Sequence, residues 1–220
     1  MSLIITDGLK ESFPDLRALV AGVEGAKVEK EKAELQRFKE KIIEEVKHAY
    51  DLSTVKDVPI FRAYRDFFWR IGIDPTKNRP ATEALIRRVL AGKPLPKINT
   101  LVDAYNLASI RTCISVGAFD ADKLRGGLVL RAARKGEEFT GIGMEKPMVL
   151  VGNEVVVSDE EKLIAIYPYR DADDTKVTGA TRNVLLLICG VPGIDEEVLK
   201  RASQITVDCI IKFCGGGERI

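Results

Sequence analysis

Residues 169–181, reading YRDADDTKVTGAT, hold the densest set of chemically useful side chains in this 220-residue chain. Asp171 and Asp174 offer carboxylates that can hold a cation or take a proton. Thr175, Thr178 and Thr181 offer hydroxyls that can hold a water. Arg170 offers a planar cation suited to a phosphate or a carboxylate. The run follows an apolar stretch that reads as a strand, and loops at strand ends commonly carry site residues. The same letters also spell a solvated acidic turn leading into a threonine-rich edge strand, and both readings stay open.

A second polar set is less conspicuous. Asn99, Asp103 and Asn106 fall at i, i+4 and i+7 of an otherwise apolar stretch. A helix that is apolar on most sides is buried, and a polar line along it must find partners. Those partners are either neighbouring backbone groups or the contents of a polar cavity. A third set is basic. Arg62 and Arg65 flank Tyr64, and Lys77, Asn78 and Arg79 follow. Arginines beside an aromatic ring suit nucleic acid through charge and stacking. Phe61, Tyr64, Phe68 and Trp69 also sit at helical spacing, so the same segment reads as core with arginines on its outer side.

Other chemistries are excluded. His48 is the only histidine and lies on a charged helix, which removes every histidine-based triad. No GxSxG, P-loop or HExxH string occurs. Cys113, Cys189, Cys209 and Cys214 form no CxxC pair, so reduced structural thiols are expected, with no metal and no cofactor. The formal net charge of +1 argues against coating nucleic acid by bulk charge, though a local basic face remains compatible with it. No apolar run reaches the roughly 20 residues a spanning helix needs. The opening residues hold only a short apolar patch, Leu3-Ile4-Ile5, so no leader is expected and the chain is read as cytoplasmic, with neither membrane nor DNA as partner.

The elements that would position these residues read as one α+β domain. Residues 16–23 read as a strand and turn, and 29–50 as a strong helix with Leu35, Phe38, Ile42, Val46 and Ala49 at helical spacing. Helices follow over 58–71, 80–91 and 99–113. Pro80 stands in a first helical turn and Gly92 just past the same helix's end, while Glu83 and Arg87 make an i,i+4 surface pair. From Gly127 the pattern turns to strands: 127–132, 148–151, 154–157, 164–167 and 183–189. Gly152-Asn153 signals a hairpin between the second and third of these. A last helix starts at Asp195, stapled by Ile194 and Leu199. The expected division is a lead-in over 1–55 packed on the core, a core over 56–214, and a flexible tail over 215–220 that contains Gly215-Gly216-Gly217.

The stretch 101–139 resembles the B3/B4 domain of the phenylalanyl-tRNA synthetase β-subunit. It is similar in its VVDVTN-like string (Val102, Asp103, Asn106), its HAFD-like string (Ala118, Phe119, Asp120), its DKL turn (Asp122, Lys123, Leu124) and its ARxGE string (Ala133, Arg134, Gly136, Glu137). The segments VVVSDEEKLIAIYPYRD and VTGATRNVLLLI resemble later parts of the same domain. Two departures stand out. Gly117 replaces the histidine of HAFD, and residues 169–175 replace a glycine-rich GVMGG-like loop.

The resemblance implies a B3/B4-like fold with a central mixed β-sheet flanked by helices, here as a free-standing protein. In the synthetase the domain removes wrongly attached amino acids, notably tyrosine, so an aminoacyl-tRNA ester, met at the acceptor end, is the implied substrate. Such an ester is already activated. It needs a placed water and donors for the developing oxyanion, and the neighbouring ribose hydroxyl can help move the proton. Under that scheme Asp171 or Asp174 would bind the substrate ammonium or act in catalysis with Thr175 and Thr178, Arg170 would pair with a phosphate, and Thr181, Asn99, Asp103 and Asn106 would line the site. Arg62, Arg65, Lys77 and Arg79 would meet the RNA. A trans-acting deacylase is the first expectation. A non-catalytic module that binds tRNA or an amino acid is the second, and a small-molecule binder or enzyme without RNA is the third. A water-sized polar pocket beside Asp103, Asn106 and Asp171 would favour the first.

Overall fold

The computed structural model of the protein describes residues 1–219. In chain order the elements are β1 (Leu3–Ile5), α1 (Asp7–Ser12), β2 (Ala18–Glu24), α2 (Ala33–Ala49), α3 (Pro59–Arg70), α4 (Ala81–Leu90), α5 (Thr100–Thr112), β3 (Ser115–Asp120), β4 (Leu128–Ala132), β5 (Glu138–Phe139), β6 (Met148–Val149), β7 (Val155–Ser158), β8 (Leu163–Ile166), β9 (Arg170–Asp171), β10 (Val184–Cys189), α6 (Glu196–Cys214) and β11 (Gly217–Arg219). Short 3-10 turns at Val55–Asp57 and Ala121–Lys123 complete the order. The architecture is α+β.

The helices follow their apolar spacing. Leu35, Ile42 and Val46 bury one face of α2, and Phe61, Tyr64, Phe67 and Phe68 bury one face of α3, leaving Trp69 exposed. Helix α5 is wrapped on most sides, packing on α2, α4, α6 and β3. Its N-terminus is closed by Asn99, whose side chain accepts from the Val102 N–H at 2.9 Å. Its C-terminus ends at Cys113 in the left-handed region, φ 60°.

Two main sheets share the core. One is mixed, in the order β1-β4-β7-β8-β9, with β1 parallel to β4 and the remaining pairs antiparallel. The other is antiparallel, in the order β11-β2-β10-β3. β10 is buried along its whole length, as a central strand must be. The edge of the first sheet, β9, meets the edge of the second, β3. Just past β9, an isolated bridge, Phe119↔Lys176, and a bond from the Asp120 N–H to the Thr175 carbonyl at 2.8 Å tie the following segment to β3.

Two expectations are corrected. The Gly152-Asn153 hairpin does not form. β6 pairs with β5, and β7 pairs with β4 and β8. The Glu154 carboxylate accepts from the Val151 and Gly152 N–H groups, so the chain turns around that side chain instead of continuing a ladder. The tail expected to be loose is a strand through Arg219: Gly217, Glu218 and Arg219 pair with Glu24, Val23 and Gly22. The glycines permit this close approach, since a β-carbon on Gly216 would stand 2.3 Å from the Glu24 carbonyl oxygen. Residue 220 lies outside the described residues. The lead-in strand β2 lies inside the second sheet, between β11 and β10.

Candidate functional site

Strands β8 and β9 form a tight hairpin through Tyr167, Pro168 and Tyr169, with Ala165 opposite Asp171 and Ile166 opposite Arg170. This hairpin carries Asp171 to the junction of the two sheets. A cavity of about 70 Å³ lies there, lined by Ser115, Val116 and Gly117 of β3, Leu187 and Cys189 of β10, and Asp171. Glycine at position 117 makes the room: a β-carbon there would lie 3.0 Å from Asp171 Oδ1. Asp171 as a residue is half-buried, and its carboxyl is the deep part. That burial pushes its pKa up to about 7, offset in part by a hydrogen bond from the Ala118 backbone N–H. A carboxyl poised near neutrality in a small cavity can take a proton from water.

Beside this cavity is an outer pocket of about 450 Å³, with Ile73, Asn78, Met144 and Met148 on its walls. Ile166, Tyr169 and Arg170 line both spaces and so form the partition between them. The Tyr169 hydroxyl donates to Asn78 Oδ1 at 2.9 Å, and its ring meets Phe68 edge-on at 6.2 Å. The Arg170 guanidinium lies 5.2 Å from the Tyr169 ring centroid and donates to the Ile142 carbonyl at 3.1 Å. Its stem packs on Gly141, where a β-carbon would be 2.3 Å from Arg170 Cδ.

The other residues of the acidic run have structural partners. Asp174 is exposed and pairs with Lys162 at 2.7 Å. Thr175 is fully buried, and its Oγ1 has no hydrogen-bond partner among the described residues. Thr181 is buried and donates to Asp120 Oδ2 at 2.7 Å. Thr178 shapes the same turn: its N–H donates to Thr181 Oγ1 at 2.9 Å, and its own hydroxyl accepts from the Ala180 N–H. Thr178 and Thr181 thus shape the turn that follows Asp171 through their hydroxyls, and Thr175 through its carbonyl, which accepts from the Asp120 N–H.

Asn99 and Asp103 of the polar line on α5 are partnered away from the cavity. Asn99 caps the helix. Asp103 is buried against Lys39 at 2.7 Å and accepts from the Ile98 N–H at 3.1 Å. Asp103 and Lys39 border a separate depression of about 370 Å³ with Lys30, Lys32 and Lys97. Tyr105 of the same helix feels both carboxylates. Burial first, then the charges of Asp171 and Asp103, raise its hydroxyl pKa. Asn106 is half-buried.

Of the basic candidates, Arg65 faces inward. It donates to both oxygens of Glu83 at 3.2 Å and is joined there by Arg87 at 3.0 Å. Glu83, expected on the surface, has no exposed side-chain area. Arg62 is exposed and 3.3 Å from Asp57, Lys77 is exposed and 3.8 Å from Asp74, and Arg79 is exposed. Tyr64 belongs to the core. Its hydroxyl donates to the Cys189 carbonyl and accepts from the Ser115 N–H. All four cysteines are buried and free.

Sequence reasoning did not bring forward Leu187, Cys189, Ser115, Met144 or Met148. They come from four separate segments, and each reads locally as strand or loop. Among the described residues no helix is long and apolar enough to cross a membrane.

Comparison with known proteins fits this arrangement. Residues 63–215 match the B3/4 domain. The phenylalanine–tRNA ligase beta subunit of Fusobacterium nucleatum is 37% identical over 93 residues, which are 42% of this chain and 11% of that protein. The corresponding subunit of Neisseria gonorrhoeae is 25% identical over 173 residues, 67% of this chain and 22% of that one. The chain thus spans a small part of these relatives. The crystal structure of an N-terminal fragment of the phenylalanyl-tRNA synthetase β-subunit from Pyrococcus horikoshii superposes with a TM-score of 0.55 at 18% identity, covering 99% of this chain and 50% of that one, and so shares the fold. With the family match spanning most of its length, this chain belongs to the B3/4 domain family.

Proposed function

We propose that this chain is a trans-acting hydrolase that removes wrongly attached amino acids from tRNA. The observation that carries the reading is the Asp171 carboxyl, held near neutral pKa in a water-sized cavity where two sheet edges meet. The cavity stands beside Gly117, where the resembling family string has its histidine. The loss of that imidazole leaves space, and Asp171 supplies a base in its place.

In this mechanism a water in the cavity loses a proton to the Asp171 carboxylate as its oxygen bonds to the ester carbonyl carbon. The bond from that carbon to the ribose oxygen then breaks, the ribose oxygen takes a proton, and a free amino acid leaves. Arg170 keeps guanidinium N–H groups beyond those used on Ile142 and Tyr169, and they suit a phosphate of the terminal nucleotides. The exposed Lys77 and Arg79 flank Asn78, the partner of Tyr169, and add positive charge there, while Arg62 is exposed on α3. The relatives are subunits of a tRNA ligase, which supports tRNA as the partner, and a cytoplasmic setting goes with that partner.

The test is timed release of amino acid from a panel of correctly and wrongly charged tRNAs, against buffer and against Asp171→Asn. Release that depends on Asp171 supports the reading. Binding of tRNA with no release indicates a non-catalytic binding module. Neither release nor binding indicates a small-molecule role.

A further inference from the structure

Tyr169 and Arg170, both held by hydrogen bonds, divide the outer pocket of about 450 Å³ from the Asp171 cavity, so its contents answer to its own walls. Its volume falls in the range of small-molecule sites, roughly 300–1,000 Å³. Ile73, Met144 and Met148 give it apolar surface, and the two methionines, unbranched and soft, fit themselves to aliphatic chains. Charge of both signs on the same walls narrows the ligand further.

The negative charge comes from Asp74 and Glu154. The segments that carry them meet, since a β-carbon on Gly72 would stand 3.7 Å from Asn153 Cβ. Asp74 uses Oδ1 on the Thr76 N–H and hydroxyl, at 2.8 and 2.6 Å. Those bonds hold its carboxyl below the usual range, so it is charged at neutral pH. Its Oδ2 faces the exposed Lys77 at 3.8 Å. Glu154 is buried, and its Oε1 accepts one bond, from the Val151 N–H at 3.2 Å. Each carboxylate therefore keeps an oxygen able to accept from an ammonium.

The positive charge is Arg170. Its guanidinium gives N–H groups to the Ile142 carbonyl and the Tyr169 hydroxyl and keeps others for an anion. Asn78 stands beside it. Its Oδ1 takes the Tyr169 hydroxyl, and its Nδ2 has no partner among the described residues. A simple amine would leave Arg170 and this amide unanswered. A simple acid would leave the two carboxylates so. A small body that carries ammonium, carboxylate and an apolar side chain answers all of them.

We propose that the outer pocket binds a free α-amino acid with an aliphatic side chain, its ammonium on Asp74 and Glu154, its carboxylate on Arg170 and Asn78, and its side chain on Met144 and Met148. The site does not rest on the deacylase reading, because it needs neither Asp171 nor RNA. Where RNA is bound, its phosphate and the amino-acid carboxylate compete for the same Arg170 N–H groups.

The experiment is calorimetric titration of the full chain, without tRNA, with leucine, leucinamide, isocaproate and glutamate. Leucinamide lacks the carboxylate, isocaproate lacks the ammonium, and glutamate lacks the apolar side chain. Leucine is expected to bind saturably with Kd below about 1 mM. Each of the others is expected to bind about tenfold more weakly or worse, as loss of a charge-assisted hydrogen bond predicts for the first two. Three variants locate the site. Arg170→Gln is expected to weaken leucine about tenfold and leave leucinamide unchanged. Asp74→Asn, which keeps the Oδ1 that Thr76 uses, is expected to weaken leucine and leave isocaproate unchanged. Met148→Trp, on a half-buried and easily accommodated position, fills the pocket and is expected to weaken all three. No saturable binding of leucine overturns the proposal. Equal binding of leucine and either truncated analogue, or of glutamate, overturns it as well. Leucine binding unaltered in folded Met148→Trp places the amino acid elsewhere and does the same. Since no tRNA is present, failure here leaves the deacylase reading to its own assay.

Discussion

Gly117 and Asp171 face each other so closely that a β-carbon on the glycine would lie 3.0 Å from the carboxylate Oδ1. Any side chain at 117 therefore competes with the carboxyl for the same space. Gly117→Ala is expected to displace Asp171 by a few tenths of an ångström and to lower kcat/KM by roughly 10- to 100-fold, because ångström-scale misplacement of a reacting group can cost about 100-fold. Gly117→His, which restores the family's residue, is expected to cost more in this background. Rates measured beside thermal midpoints separate this from unfolding. Full activity in folded Gly117→Ala would show that Asp171 does not have to stand where it does.

Protonation of Asp171 governs both rate and stability. Burial raises its carboxyl from the usual 3.8 to about 7. As a base it works only when ionised, so kcat/KM is expected to rise with pH through about 7 and then level. For stability the sign is opposite. Between 3.8 and about 7 the folded state binds more protons than the unfolded one, so stability falls as pH rises across that window. Asp171→Asn is expected to abolish release at every pH, to flatten the stability profile, and to melt higher than wild type above pH 7. A variant that melts lower there would contradict the burial cost assigned to this carboxyl.

Glu83 is a structural hub. It has no exposed side-chain area and holds Arg65 and Arg87 at 3.2 and 3.0 Å. Removing one partner of such a group leaves charge buried without compensation, which costs about 3–5 kcal/mol. Glu83→Ala is expected to lose that much in urea unfolding. Arg65→Ala is expected to lose stability, while tRNA affinity per folded molecule stays unchanged. Weakened tRNA binding at unaltered stability would return Arg65 to the RNA surface.

Thr175 offers the converse case. Its hydroxyl is fully buried with no partner. Leaving such a group unsatisfied costs roughly 1–3 kcal/mol, so Thr175→Val is expected to raise stability by about 1 kcal/mol with deacylation unchanged. A loss of activity without a loss of stability would restore the hydroxyl to the chemistry.

These cases also show what the sequence could tell. The helices were legible because each carries its burial as a 3.6-residue rhythm: Leu35, Ile42 and Val46 on α2, and Phe61, Tyr64 and Phe68 on α3. Asp171 stood out because an acidic run after a strand is locally visible. Arg65 misled because its tyrosine neighbour is one residue away while Glu83, which binds it, is eighteen residues on. The cavity was not legible at all. Its walls come from residues 115–117, 165–171 and 187–189, brought together only by the pairing of β3 with β10 and of β8 with β9. β3 carries little strand signal of its own, since Gly117 and few polar alternations weaken it.

The place of β2 between β10 and β11 sets an order of assembly. Its residues 18–24 are made early, yet both of their sheet partners, 184–189 and 217–219, come near the other end of the described chain. During synthesis, when residues emerge at roughly 5–20 per second, β2 waits with both edges unsatisfied until residues 184–219 have been made. Such long-range pairing folds slowly. The nascent chain therefore holds an apolar strand with two open edges, which another copy's strand can pair with until 184–189 arrives.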